Sequence, residues 1–103
     1  MKNVMDLQKM LKTAKEMQDR LQQELAALRV EGSSGGGMVT VVLDGHKALQ
    51  SIRIDPEVVV RDEVEMLQDL VVAAFNDAAA KVDEALAHKL GGLGAGLKIP
   101  GLG

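Results

Sequence analysis

Apolar side chains recur along the first part of the chain at alternate steps of three and four. They are Val4, Leu7, Leu11, Ala14, Leu21, Leu25 and Leu28, with Gln18 at the one polar step. This is the spacing of a heptad stripe, and residues 3–28 hold neither Gly nor Pro. The segment is therefore predicted to be one continuous helix. Met10 and Met17 widen the stripe on one side. A helix of this length is a rod of roughly 39 Å, longer than a small domain is wide. Such a helix overhangs its own core, and an overhanging apolar stripe is unfavourable in water unless something covers it. A second copy of the chain is the simplest cover.

The helical period stops at Arg29. Val30 and its neighbours suit a short strand, and the glycines of Gly32-Ser33-Ser34-Gly35-Gly36-Gly37 suit a tight turn or bulge. Residues 38–43 are rich in β-branched side chains and predict a second strand. Asp44-Gly45 is a two-residue hairpin signal. Residues 48–55 then predict a third strand, with Ile52 and Ile54 on one face and Ser51 and Arg53 on the other. Asp55-Pro56-Glu57 predicts a capped helical turn. Asp62, with Glu65 three residues on, has the form of a capping box opening a second long helix over residues 63–90. Val64, Leu67, Val71, Ala74, Ala78, Val82 and Ala85 make its stripe, and Leu70, Phe75 and Leu86 broaden it. Its many alanines favour the helix and leave thin places for close packing. The Gly-rich run from Gly91 reads as a flexible tail. The expected class is α+β, ordered helix, three-stranded antiparallel meander, helix (α-β-β-β-α), with one domain over residues 1–90 and a tail over 91–103.

Composition narrows the function. A single domain of 103 residues buries only part of its surface. It has no cysteine for a disulfide or a thiolate-bound zinc, which fits a reducing cytoplasm. Association with another chain is the remaining way to add core. With one Phe and neither Trp nor Tyr, the chain lacks stacking platforms for single-stranded nucleic acid and Trp- or Tyr-based hot spots. The formal net charge is −3, unevenly spread. Residues 1–20 carry Lys2, Lys9, Lys12, Lys15 and Arg20 against Asp6, Glu16 and Asp19. Residues 61–90 carry Arg61, Lys81 and Lys89 against Asp62, Glu63, Glu65, Asp69, Asp77, Asp83 and Glu84. No apolar run approaches the ~20 residues of a membrane span, and no signal peptide is expected at the N-terminus.

No motif points to catalysis. The run from Gly32 lacks a Gly-Lys-Ser/Thr ending and leads into a strand, so it is read as a turn rather than a phosphate loop. His46 and His88 have no ligands at metal-binding spacing, and Ser33 and Ser34 have no local base. Glu57, Asp62, Glu63 and Glu65 belong at helix starts, where the dipole favours acids. Met1, Met5, Met10 and Met17 read as interface filler. No enzyme activity, cofactor, metal or small-molecule substrate is expected. The basic residues of the first helix all fall off its apolar seam. They form either a solvated face, with helix pairs such as Glu16–Arg20, or a row of phosphate contacts on a projecting arm.

Several stretches together resemble the YbaB/EbfC family of bacterial nucleoid-associated proteins. They are Val30-Glu31-Gly32-Ser33-Ser34-Gly35-Gly36-Gly37, the Val-rich strand ending in Asp44-Gly45, Ile52-Arg53-Ile54-Asp55-Pro56-Glu57, Leu67 to Ala78 with its Ala-Ala-Phe-Asn-Asp-Ala, and the Gly-Leu-rich tail. The likeness covers nearly the whole chain in order. It implies a tight, intertwined homodimer with projecting helical arms, a cytoplasmic and nucleoid-associated location, and duplex DNA as partner. Sequence preference is weak in some members and evident in others. Carried onto this chain, DNA contact falls first on Lys2, Lys9, Lys12, Lys15 and Arg20, then on Lys81 and Lys89. Leu7, Leu11, Leu21, Leu25, Val39, Val41, Leu67, Val71 and Phe75 are the expected dimer interface, with higher assembly left open. The role that follows is chromosome organisation, gene regulation or DNA repair. The alternative is a protein-interaction scaffold for the replication or recombination machinery, favoured by the net negative charge and the heptad stripe.

Overall fold

Two helices flank a three-stranded antiparallel sheet in the expected order. The structure, a computed structural model, describes residues 2–94 and the side chains of residues 5–89. Helix α1 is Lys2–Ala27, strands β1, β2 and β3 are Val30–Ser34, Val39–Leu43 and Leu49–Ile54, and helix α2 is Val64–Gly94. Two 3₁₀ turns, Pro56–Val58 and Arg61–Glu63, lead into α2. The sheet order is β1-β2-β3. Of the predicted tail, residues 95–103 lie outside the described residues. Residues 91–94 continue the helix instead of ending it, because a glycine permits a left-handed cap but does not impose one.

Alternation along the strands decides which side chains meet α2. Gly32, Val41 and Ile52 are cross-strand partners, as are Ser34, Val39 and Ile54, so they share one face of the sheet. Helix α2 lies over β1 and β2. It buries Val39, Val41 and Leu43 against Ala74, Ala78 and Val82. Each Val or Leu so buried contributes about 1.5–3 kcal/mol. The alanines let the helix come down onto the strand at Gly32, whose position leaves no room for a side chain. Two polar links fix the register of helix and strand. The Ser33 N–H donates to the Asp77 carboxylate at 3.0 Å, and the Ser34 hydroxyl donates to the Leu70 carbonyl at 2.6 Å. At the β1–β2 turn Gly35, Gly36 and Gly37 take φ of 61, 67 and 96°, a region that side chains other than glycine rarely occupy.

Two local expectations are corrected. Asp44-Gly45 is not a two-residue hairpin, since β2 ends at Leu43 and β3 begins at Leu49. The Asp44 carboxylate is an acceptor strong enough to organise a longer loop around itself, and a bulge falls at Val42 and Leu43. Asp62 does not cap α2; it lies inside a 3₁₀ turn whose N-cap, Val60, offers no side-chain acceptor. The Asp55 cap forms as predicted, accepting from the Glu57 N–H at 2.9 Å.

Helix α1 stands apart from this two-layer core. Its side chains from Met5 to Glu24 are all exposed, and the molecule measures 74 × 28 × 17 Å. Leu25 and Leu28, at its root, are half-buried. The overhang predicted from length and periodicity is present, and the stripe is uncovered in the single chain: Met10 and Leu11 are 68% and 62% exposed.

Candidate nucleic-acid interface

The arm owes its independence to its own sequence. Lacking Gly and Pro, it holds helix beyond the core, and its last carbonyls are satisfied at the root. The Gly45 N–H donates to the Leu25 carbonyl at 2.8 Å, and Arg29 Nη1 donates to the Ala26 carbonyl at 2.8 Å. Between Asp6 and Glu16 the arm carries Lys9, Lys12 and Lys15 and no acid.

The cations sort into two groups by their partners. Lys47 pairs with Asp83 at 2.8 Å, Lys81 with Asp77 at 2.9 Å, Lys89 with Glu24 at 3.5 Å and Arg53 with Glu31 at 3.7 Å. Among the described residues, the exposed Lys9, Lys12, Lys15 and Arg20 make no ion pair, and the expected Glu16–Arg20 pair is not formed. An exposed helical pair contributes only a few tenths of a kcal/mol, too little to order two long side chains. The arm thus presents a run of uncommitted positive charge, whereas the lysines of the core are engaged. Lys2 lies in the helix, with its side chain outside those described.

Lys81 and Lys89 therefore differ from the arm lysines. Lys81 belongs to the Asp77 link that holds β1 to α2. The Asp77 carboxyl sits below its ordinary value because the Ser33 N–H, and after it Lys81, stabilise the charged form. Lys89 ties α2 to the root of the arm. Arg61, counted in the charge pattern but not among the expected DNA contacts, is exposed on the turn before α2 and unpaired among the described residues. Nothing in its local sequence separates it from other surface arginines.

The residues expected at a dimer interface divide as well. Leu7, Leu11 and Leu21 are exposed along the arm, and Leu25 is half-buried at its root. Val39 and Val41 lie in the protomer's own core at 0% and 1% exposure, which leaves them no surface to give a second chain. Leu67 and Val71 pack against the same core and are half-buried. Phe75 keeps 36% of its surface in solvent. Ile52 was not among the expected residues. It shares the sheet face that α2 covers, yet remains 43% exposed, because α2 lies over β1 and β2 and leaves β3 open. Val59, Val60, Val64 and Val72 are also exposed. The sequence shows the Ile52–Ile54 alternation but not which half of the sheet the helix covers.

A depression on the arm, lined by Lys9, Met10, Thr13, Ala14 and Met17, lies on a single helix face and encloses nothing. Among the described residues no group of acids and histidines could hold a metal ion, and no helix is long and apolar enough to cross a membrane.

Comparison with known proteins shows what the chain as a whole is similar to. The model of the YbaB/EbfC DNA-binding family matches residues 1–97. Proteins of Brucella ovis, Brucella canis and Brucella abortus, each named a nucleoid-associated protein, are 48% identical to this chain, over 92% of this chain and 92% of theirs. The crystal structure of an uncharacterized protein from Helicobacter pylori matches at a TM-score of 0.69 and 25% identity, over 84% of this chain and 91% of that one.

Proposed function

The chain belongs to the YbaB/EbfC DNA-binding family, and from that premise we propose that it is a nucleoid-associated protein whose projecting α1 helices grip duplex DNA by its phosphates. The observation that carries this reading is the division of the cations. Lys9, Lys12, Lys15 and Arg20 stand unpaired on an exposed helix, while Lys47, Lys81, Lys89 and Arg53 are engaged within the chain. Phosphate contacts position a protein on DNA without reading its sequence. No set of Asn, Gln and Arg suited to reading base edges stands out on the arm. Binding is therefore modest in affinity, weakly specific and strongly dependent on salt. The relatives' names, nucleoid-associated protein, support a location with the nucleoid.

The functional unit is a homodimer. The arm stripe and the apolar surface at Ile52, Val72 and Phe75 are the faces a second copy covers, since neither is protected within one chain. Organisation of the chromosome is the role that fits weak specificity best.

A gel-shift titration against salt tests the DNA reading. With ~5 phosphate contacts from each arm engaged, log K falls against log salt with a slope of about −4 to −5 per arm. No binding at low salt, or binding indifferent to salt, overturns it. The second reading, a scaffold for other proteins, draws on the same exposed stripe. It predicts an intact dimer that retards no DNA.

A further inference from the structure

We propose that Gly45 and the loop it opens form a fixed seat for the root of α1, and that this seat sets the direction in which the arm leaves the core. This rests on the reading of α1 as the DNA arm only for its consequence in binding; the seat itself is a matter of backbone contact.

The first observation is how little else within its own chain holds the arm. No side chain from Met5 to Glu24 is buried. The recorded links from the helix to the loop and α2 cluster in its last turn: the Gly45 N–H on the Leu25 carbonyl at 2.8 Å, and Lys89 on Glu24 at 3.5 Å. The second is the closeness of the seat. Gly45 is buried, and a Cβ there would stand 2.7 Å from the Leu25 oxygen, 2.9 Å from its Cα and 2.9 Å from its Cδ2. Two of these three atoms are helix backbone, which cannot swing aside to absorb a change as the Leu25 side chain could.

The third is the rigidity of the loop. The Asp44 carboxylate accepts from the His46 N–H at 2.7 Å, the Ala48 N–H at 3.0 Å and the Gln50 amide at 3.3 Å. The Asp44 N–H donates to the Ala48 carbonyl at 3.0 Å, and the Lys47 N–H donates to the Asp44 carbonyl at 3.0 Å. Lys47 is the one non-glycine among the described residues at positive φ, 63°, and its ammonium reaches Asp83 on α2 at 2.8 Å. The loop is thus braced internally and tied to α2. The arm root rests on it through the Leu25 carbonyl at the helix end, where the Gly45 N–H at 2.8 Å is the shorter of two donors and the Leu28 N–H at 3.3 Å the longer.

Leverage makes the seat matter. Gln8 lies roughly 25 Å along the helix from Leu25, so a swing of about 10° at the seat moves it by about 4 Å. Phosphates on two strands must be met by arms at a set separation, and pre-setting that geometry removes an ordering cost from binding. Gly45 is in this sense a positioning residue for DNA, touching none itself.

The chain has no cysteine, so Gln8→Cys and Glu57→Cys can carry spin labels without background. Diluting labelled with unlabelled protein confines the distance to one chain. In G45A the tip-to-core distance should shift by about 4 Å or its distribution broaden by as much, with dimer mass retained and DNA affinity lowered about tenfold. A folded G45A protein with the parental distance overturns the proposal. A shifted arm with parental affinity keeps the seat and overturns the assignment of α1 as the DNA arm. Should G45A fail to fold, hydrogen exchange on the unaltered protein decides. A Gly45 amide as protected as those of β2 supports the seat, and one exchanging at open-coil rates overturns it.

Discussion

Gly32 of β1 and Ala78 of α2 are in direct backbone contact: a Cβ on residue 32 would stand 2.2 Å from the Ala78 nitrogen and 2.5 Å from its Cα. The glycine is needed for space, at the point where strand and helix are pinned by Ser33–Asp77 and Ser34–Leu70. Both neighbours are backbone, so no side chain can swing aside. G32A should cost about 3 kcal/mol, the upper end of overpacking, which lowers the melting midpoint by roughly 10 °C or more for a domain of this size. A thermal melt followed by circular dichroism measures it. A midpoint within about 2 °C of the parent would mean the two backbones lie further apart.

Neutralising the arm separates the two classes of cation. The triple variant K9Q/K12Q/K15Q should weaken DNA binding at low salt and reduce the steepness of the salt dependence by about 2–3 units for each arm engaged. The variant K81Q/K89Q should leave that slope within about 1 unit of the parent, since both lysines are held by acids of the same chain. Equal effects of the two variants would place the DNA on the core as much as on the arm.

How far the sequence disclosed this arrangement varied with the kind of interaction. The two helices and three strands were legible because period and turn chemistry are local. The length of α1 against the width of a small domain already required an overhang. What stayed hidden depends on contacts between distant segments. The clearance at Gly32 comes from Ala78, and that at Gly45 from Leu25; in the sequence both glycines read as turn formers. Val39 and Val41 looked available to a partner because nothing local says that α2 covers β2 and leaves Ile52 open. The engagement of Lys89 stayed hidden until Glu24 was seen beside it, whereas Lys81 has its partner Asp77 one turn away on the same helix.

The proposed homodimer has a direct test at Ile52 and Phe75. Burying such side chains contributes about 1.5–3 kcal/mol each, and in a two-fold assembly every substitution counts twice. Ile52→Asp should therefore raise the dimer dissociation constant by on the order of a hundredfold or more, and adding Phe75→Asp should leave single chains at micromolar concentration. Both sites are exposed in the protomer, so the far-UV spectrum should hold. Sedimentation analysis reads the mass, and a double variant that still sediments as two chains moves the interface elsewhere, the arm stripe first.

Acid should loosen the fold through Asp77 and Asp44. The Asp77 carboxyl lies below its ordinary value of 3.8, chiefly through the Ser33 N–H and then Lys81. Asp44 is lowered chiefly by the Ala48 N–H, with His46 assisting and burial opposing. A carboxyl lowered in this way binds its proton more weakly in the folded chain than in the unfolded one, so its stabilisation is complete above the unfolded value. That stabilisation is lost as pH falls below 3.8 and on through the folded values. The melting midpoint should thus be insensitive to Asp77 and Asp44 above about pH 5 and fall steadily below about pH 4. D77N, which keeps the side chain's size but accepts the Ser33 N–H without charge, should melt lower than the parent at pH 7. The difference between the two should shrink as the pH approaches 2 and the parent's own Asp77 takes up its proton. A constant gap between parent and D77N from pH 7 to pH 2 would show that the charge of Asp77 contributes nothing to holding β1 against α2.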